Sequence, residues 1–139
     1  MPANTTPIFT LTPNIGLASV AAANTASDGS GTLVTLFTAG ANGSRVERIR
    51  YRNAQIVAAL SSAMVIRFFI TDTGGANPKL LDEVALAAAT RSVSVIGAQG
   101  TLSFSNGLFI PSGSIIKVIQ SVYAGVQDLM HYVAEGGNY

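Results

Sequence analysis

The segment with the most evident chemical capacity is RVERIRYRN, residues 45–53, which holds four of the chain's eight basic residues. Guanidinium groups present several N–H donors in a fixed fork, so such a row could bind carboxylates or phosphates. Val46 and Ile49 are three positions apart and cannot share one face of a regular strand. The segment therefore predicts a β-bulge near Glu47.

Side chains alternate between the two faces of an extended strand. Under that alternation Arg48, Arg50 and Arg52 share one face, and Ile49 and Tyr51 share the other. The segment therefore predicts a row of arginines on one exposed face of a β-sheet.

This arginine row has three interpretations: a solvated sheet face, a contact with another protein, or a nucleic-acid surface. Nucleic-acid surfaces favour a broad basic patch with aromatic rings for stacking, but Tyr51 faces away, Glu47 lowers the local charge and the net charge is only +1. Arginine is favoured in protein interfaces. We predict no nucleic-acid partner and take Arg48, Arg50 and Arg52 as candidate protein–protein contact residues.

Residues that could carry catalysis or hold a metal are few. His131 is the only histidine and there is no cysteine, whereas a catalytic triad or a zinc site needs several such groups. Asp72 with Asp82 and Glu83 could offer oxygen ligands to calcium, but their spacing does not match an EF-hand loop. We therefore predict a protein that is not an enzyme and that uses no metal or other cofactor.

The composition favours a surface that partners cover. Charged residues make up 11% of the chain, against about 25% in ordinary soluble domains. A lone monomer with so few charges has little electrostatic protection against association. The absence of cysteine fits synthesis in a reducing cytoplasm. The apolar runs are shorter than the roughly 20 residues of a membrane span, so we predict no membrane partner.

The first 14 residues, MPANTTPIFTLTPN, contain three prolines and are predicted to form an extended arm. Ile8, Phe9 and Leu11 could lie on a neighbouring molecule, so we take them as further candidate interface residues. We expect residues 15–139 to form a single domain.

Beyond the arm, turn signals recur about every eight to twelve residues, as in antiparallel β proteins. We expect a loop over 15–30, a strand or a helix over 79–86, and a turn at Asn106–Gly107. The predicted strands are 32–40, 45–53, 64–71, 92–96, 115–123 and 126–135, with one more inside 101–114. The pattern predicts an all-β, antiparallel β-sandwich of jelly-roll type with an extended N-terminal arm.

The succession of four stretches resembles that in small head decoration, or cement, proteins of tailed bacteriophages. The similarity covers about residues 32–139. The stretches are TLFTAGANGSRVERIRYRNAQ, IRFFITDTGGANPKLLDEVAL, NGLFIPSGSIIKVIQSV and the terminal VAEGGNY.

This resemblance implies a β-sandwich that binds the outer surface of an assembled capsid and reinforces it, with no catalytic residues and no cofactor. It implies the major capsid protein as partner, self-association as a dimer or trimer, and a location on the virion after synthesis in the host bacterial cytoplasm. The alternative is a β module of a tail, baseplate or fibre that mediates attachment or protein–protein contacts.

Overall fold

The computed structural model describes residues 9–55 and 58–139, and these residues form ten β-strands joined by loops and two short 3-10 turns. The strands are β1 (Thr12–Val20), β2 (Val34–Thr38), β3 (Ser44–Asn53), β4 (Ala59–Leu60), β5 (Met64–Ile70), β6 (Lys79–Leu86), β7 (Thr90–Arg91), β8 (Gln99–Ile110), β9 (Ile115–Gln120) and β10 (Met130–Asn138). The 3-10 turns span Thr73–Gly75 and Val126–Asp128.

Eight of these strands form two antiparallel sheets. One sheet has the order β1-β10-β3-β8 and the other has the order β2-β9-β5-β6, while β4 and β7 pair as a small separate ribbon. Strands that follow one another in the chain thus often lie in opposite sheets, which is the connectivity of a jelly roll. The predicted all-β sandwich of jelly-roll type is confirmed.

The core lies between the two sheets. Side chains such as Phe37, Ile49, Phe68 and Ile116 are almost fully buried, and each stabilises the fold by roughly 1.5–3 kcal/mol through removal of apolar surface from water. The rings of Phe68 and Tyr132 meet edge to face with centroids 6.2 Å apart. The sheets are therefore held together by close apolar packing.

Buried polar groups near one end of the sandwich satisfy each other. The Tyr132 hydroxyl donates to Gln120 Oε1 at 3.1 Å, and Gln120 Nε2 donates to the Asp128 carbonyl at 2.9 Å. The Asp128 carboxylate accepts from the backbone N–H groups of Ser62 and Ala124, at 2.7 and 2.8 Å. Burial raises the pKa of Tyr132 well above its ordinary value.

The first strand begins and ends where the sequence predicts other structure. β1 starts inside the segment expected to be arm and continues through residues expected to be loop, so the loop prediction is wrong for 15–20. Pro13 fits because it pairs with Gly137 in a register position that requires no N–H from proline. Gly16 fits because the second sheet approaches it closely: a Cβ there would lie 2.0 Å from the Leu36 carbonyl oxygen.

Two predictions near β8 are wrong. Residues 92–96 form a loop and not a strand, and Val93 in this loop is fully exposed. Asn106–Gly107 does not end a strand, because β8 runs on to Ile110. Gly107 has a positive φ of 71° and lies where the pairing of β8 with β3 skips residues. Glycine adopts the backbone conformation that this irregularity requires.

The remaining differences concern segment ends and one choice that the sequence left open. Residues 79–86 are strand and not helix. The last predicted strand, 126–135, begins later than expected, because Val126–Asp128 is a 3-10 turn and β10 starts at Met130.

Candidate protein–protein interface

The candidate site is the solvent-facing side of the sheet β1-β10-β3-β8, called here the outer face. Cross-strand partners lie on the same side of a sheet, so the register defines three rows across it. The rows are Ile15–Glu135–Arg48–Ser103, Leu17–Val133–Arg50–Thr101 and Ser19–His131–Arg52–Gln99.

Arg48 and Arg50 of the arginine row share one acidic partner. The carboxylate of Glu135, on the neighbouring strand, accepts a hydrogen bond from Arg48 Nε and lies 2.5 Å from Arg50 Nη2. The hydrogen bond from Arg48, together with the charges of both guanidinium groups, lowers the pKa of Glu135 below its ordinary value. One negative charge thus offsets part of the positive charge of this row.

The strand that carries the row has the predicted geometry. Arg48, Arg50 and Arg52 are exposed, while Tyr51 points inward and burial raises its pKa. Val46 and Arg48 pair with consecutive residues of β10, which leaves Glu47 as the extra residue of a bulge. The predicted alternation and the predicted bulge are both confirmed.

Arg52 lies at the end of the row where no carboxylate offsets its charge. Within residues 9–55 and 58–139 it forms no ion pair with an acidic side chain. With His131, Gln99 and Thr101 it lines an open depression of about 450 Å³. The depression could receive an acidic or amide side chain of another protein, because its rim offers hydrogen-bond donors.

An apolar stripe borders the outer face along its first strand and the segment just before that strand. It consists of Phe9, Leu11, Ile15 and Leu17, which are 74%, 81%, 61% and 70% exposed. The Leu11 N–H donates to the carbonyl of Asn138, which is the register partner of Thr12, so the segment before β1 contacts β10 outside the regular register. Contiguous exposed apolar side chains of this kind mark surfaces that another molecule covers.

The structure brings some of the predicted contact residues onto one surface. Phe9 and Leu11 are exposed in the segment before β1, and Thr10 between them lines a hollow with Arg48 and Glu135. Ile8 lies outside the described residues. Sequence reasoning missed Ile15 and Leu17, although their odd-numbered spacing after Phe9 and Leu11 is the signal of one strand face.

The acidic residues considered as calcium ligands have other partners. Glu83 pairs with Arg67 at 2.6 Å, and Asp72 accepts a hydrogen bond from Asn77 at 2.8 Å. Across the part of the chain that the structure describes, no three His, Cys, Asp or Glu side chains come together as metal ligands.

Neither a protein-family model nor a curated protein matches the chain. A comparison with solved structures finds a chain in the structure of infectious bursal disease virus Gt strain, with 18% sequence identity and a TM-score of 0.27. The match covers 98% of this chain and 34% of the other chain. So low a score carries no argument, and the jelly-roll assignment rests on the strand order given above.

Proposed function

We propose that the protein is a non-enzymatic structural component of a virion, which binds the outer surface of an assembled phage capsid as an oligomer and reinforces it. The major capsid protein is the proposed partner. The proposal involves no cofactor, no nucleic acid and no membrane.

The observation that carries the proposal is the apolar stripe beside the arginine row. Phe9 and Leu11 precede β1, Ile15 and Leu17 lie on it, and all four are more than half exposed. The next two strands of the sheet carry Glu135, Arg48 and Arg50. An apolar strip flanked by charged and polar groups has the composition of a protein interface, with a core and a polar rim. The likeness to decoration proteins supplies the identity of the partner.

Reinforcement follows from binding to the assembled state. A protein that prefers the closed shell over free capsid subunits stabilises the shell by mass action. Many copies that each span several capsid subunits add avidity, so a modest affinity at each contact suffices. The rigid sandwich holds the contact residues at fixed spacing.

The test is co-sedimentation with shells assembled from the major capsid protein that is the proposed partner. The wild-type protein is expected to pellet with the shells and to raise their melting temperature. A variant lacking residues 2–11 keeps all of β1, so we expect it to melt close to the wild type and to bind the shells at least about tenfold more weakly.

A matched control is Leu60→Lys, which changes a residue that is 60% exposed and lies outside the outer face. This control should bind shells as the wild type does. Wild-type protein that stays in the supernatant at every concentration, or a deletion variant that binds fully, would count against the proposal.

A further inference from the structure

We propose that β1 is a self-pairing edge: two copies of the chain join their β1 strands antiparallel about a two-fold axis, which makes one continuous eight-stranded sheet. The proposal specifies the self-association included in the proposed function, but it is tested in solution without shells. Either proposal can therefore fail while the other stands.

The backbone of β1 has unused hydrogen-bonding groups along its outer edge. Proline has no N–H, so the Pro13–Gly137 pair must be a non-hydrogen-bonded pair of the antiparallel ladder. The register has no shift along β1, so Ile15, Leu17 and Ser19 occupy the same kind of position. Their N–H and C=O groups point away from β10, and among the described residues β1 pairs with no strand other than β10.

The other three edges of the two four-stranded sheets are blunted in ways that β1 is not. β2 has only five residues, and β6 carries Lys79, Asp82 and Glu83. β8 loses its register with β3 around Gly107. Short length, charge and irregularity are the devices that keep sheet edges from pairing. β1 runs nine residues in unbroken register without a charged side chain.

The charge distribution favours a second copy as the occupant of this edge. Residues 9–27 contain no charged side chain, so two such edges approach without like-charge repulsion. A two-fold axis places the same patch on both sides of the contact, as an isologous interface requires. The arginine rows of the two copies lie two strands back from the axis on either side.

In the proposed register, Gly16 of one copy lies opposite Gly16 of the other, so that large apolar side chains face each other on either side of the axis. Ile15 of one copy then pairs with Leu17 of the other on the outer face, and this pair repeats across the axis. The four N–H groups of these residues find carbonyl partners. The contact therefore buries two apolar pairs and completes the main-chain bonds between them.

The same register gives the start of each chain a place on the other copy. The segment before β1 of one copy then approaches Val20 of the other, where β1 ends and the chain crosses to the second sheet at Ala23. The residues just beyond Val20 line an open hollow, together with Thr32, Val34 and Ile119 and others. An apolar side chain from the second copy fits a hollow lined largely by aliphatic groups.

The experiment measures the mass of the purified protein by size-exclusion chromatography with light scattering at several concentrations. Wild type is expected at twice the 14.3 kDa of one chain. Leu17→Lys should weaken the dimer at least about tenfold, because it places two ammonium groups close to the axis. Leu60→Lys, an equally drastic change at a similarly exposed site, should leave the dimer intact.

A second variant tests the main-chain bonds. Leu17→Pro removes an N–H that points away from β10, so it should keep the fold, checked by circular dichroism, and lose the dimer. A spin label at residue 131, in a His131→Cys variant of this cysteine-free chain, should report pairs with Cα atoms about 25 Å apart.

Wild type that remains a monomer at 100 µM-scale concentrations, or a dimer that survives Leu17→Lys unchanged, would overturn the inference. A monomer whose attachment to shells is abolished by Leu17→Lys would assign this edge to the capsid protein and would also overturn it.

Discussion

The Tyr132 hydroxyl donates a hydrogen bond of 3.1 Å to the side-chain oxygen of Gln120, and this bond joins the two sheets inside the core. Tyr132 lies on β10 and Gln120 ends β9, and both side chains are almost fully buried. Tyr132→Phe would leave the Gln120 oxygen without this donor, so we expect a loss of about 1–3 kcal/mol in the free energy of unfolding. Urea denaturation of the wild type and the variant measures this difference in unfolding free energy.

Tyr51→Phe is the control for that measurement. The Tyr51 hydroxyl has no hydrogen-bond partner within the described ranges, so this variant should unfold within about 0.5 kcal/mol of the wild type. Equal effects of the two substitutions would show that the bond to Gln120 contributes nothing beyond the loss of a hydroxyl.

At Gly16 the first sheet approaches the second closely. A methyl group there would meet the Leu36 carbonyl, so Gly16→Ala should force β1 and β2 apart and cost about 1–3 kcal/mol in unfolding free energy. Ser19→Ala, on the outer face of the same strand, should cost little. Thermal melts of the two variants compare them, and an unchanged melting temperature for Gly16→Ala would contradict the packing described here.

Asp128 holds two loops through its buried carboxylate. Asp128→Ala removes the acceptor of the Ser62 and Ala124 N–H groups, and each buried unpaired donor costs about 1–3 kcal/mol. We expect a total loss of about 2–5 kcal/mol by chemical denaturation. Asp72→Ala, at an exposed turn, should change stability by less than about 0.5 kcal/mol, and a similar loss there would argue against this role for Asp128.

Glu135 should titrate below the ordinary glutamate value of 4.5, because Arg48 and Arg50 stabilise its charged form. A lowered pKa in the folded state means that this stabilisation is present above about pH 4.5 and disappears as the pH falls through the folded pKa. Carboxyl NMR titration measures the midpoint. Arg48→Gln should raise it, whereas Arg52→Gln should leave it nearly unchanged; the reverse order would contradict the pairing.

The elements that the sequence predicts well are those whose own residues alternate. Arg48, Arg50 and Arg52 repeat at period two around inward-facing Tyr51, so their common face and the bulge at Glu47 follow from local spacing. The jelly-roll class follows from the recurrence of turn signals between short apolar runs.

The parts that sequence reasoning missed depend on distant partners. Pro13 and Gly16 suggest a break in β structure, yet both lie within β1. Pro13 is accepted because its pairing with Gly137 requires no proline N–H, and Gly16 is accepted because the Leu36 carbonyl occupies the space of a Cβ. The sharing of Glu135 by two arginines joins residues more than 80 positions apart. No local pattern contains either relationship.

Under the proposed function, electron cryo-microscopy of the phage particle is the most direct test of the central claim. The proposed function predicts jelly-roll density at many symmetry-related positions on the outside of the head, with the outer face or its β1 edge against the capsid or a second copy. A head surface without this density, or a few copies confined to the tail, would contradict it.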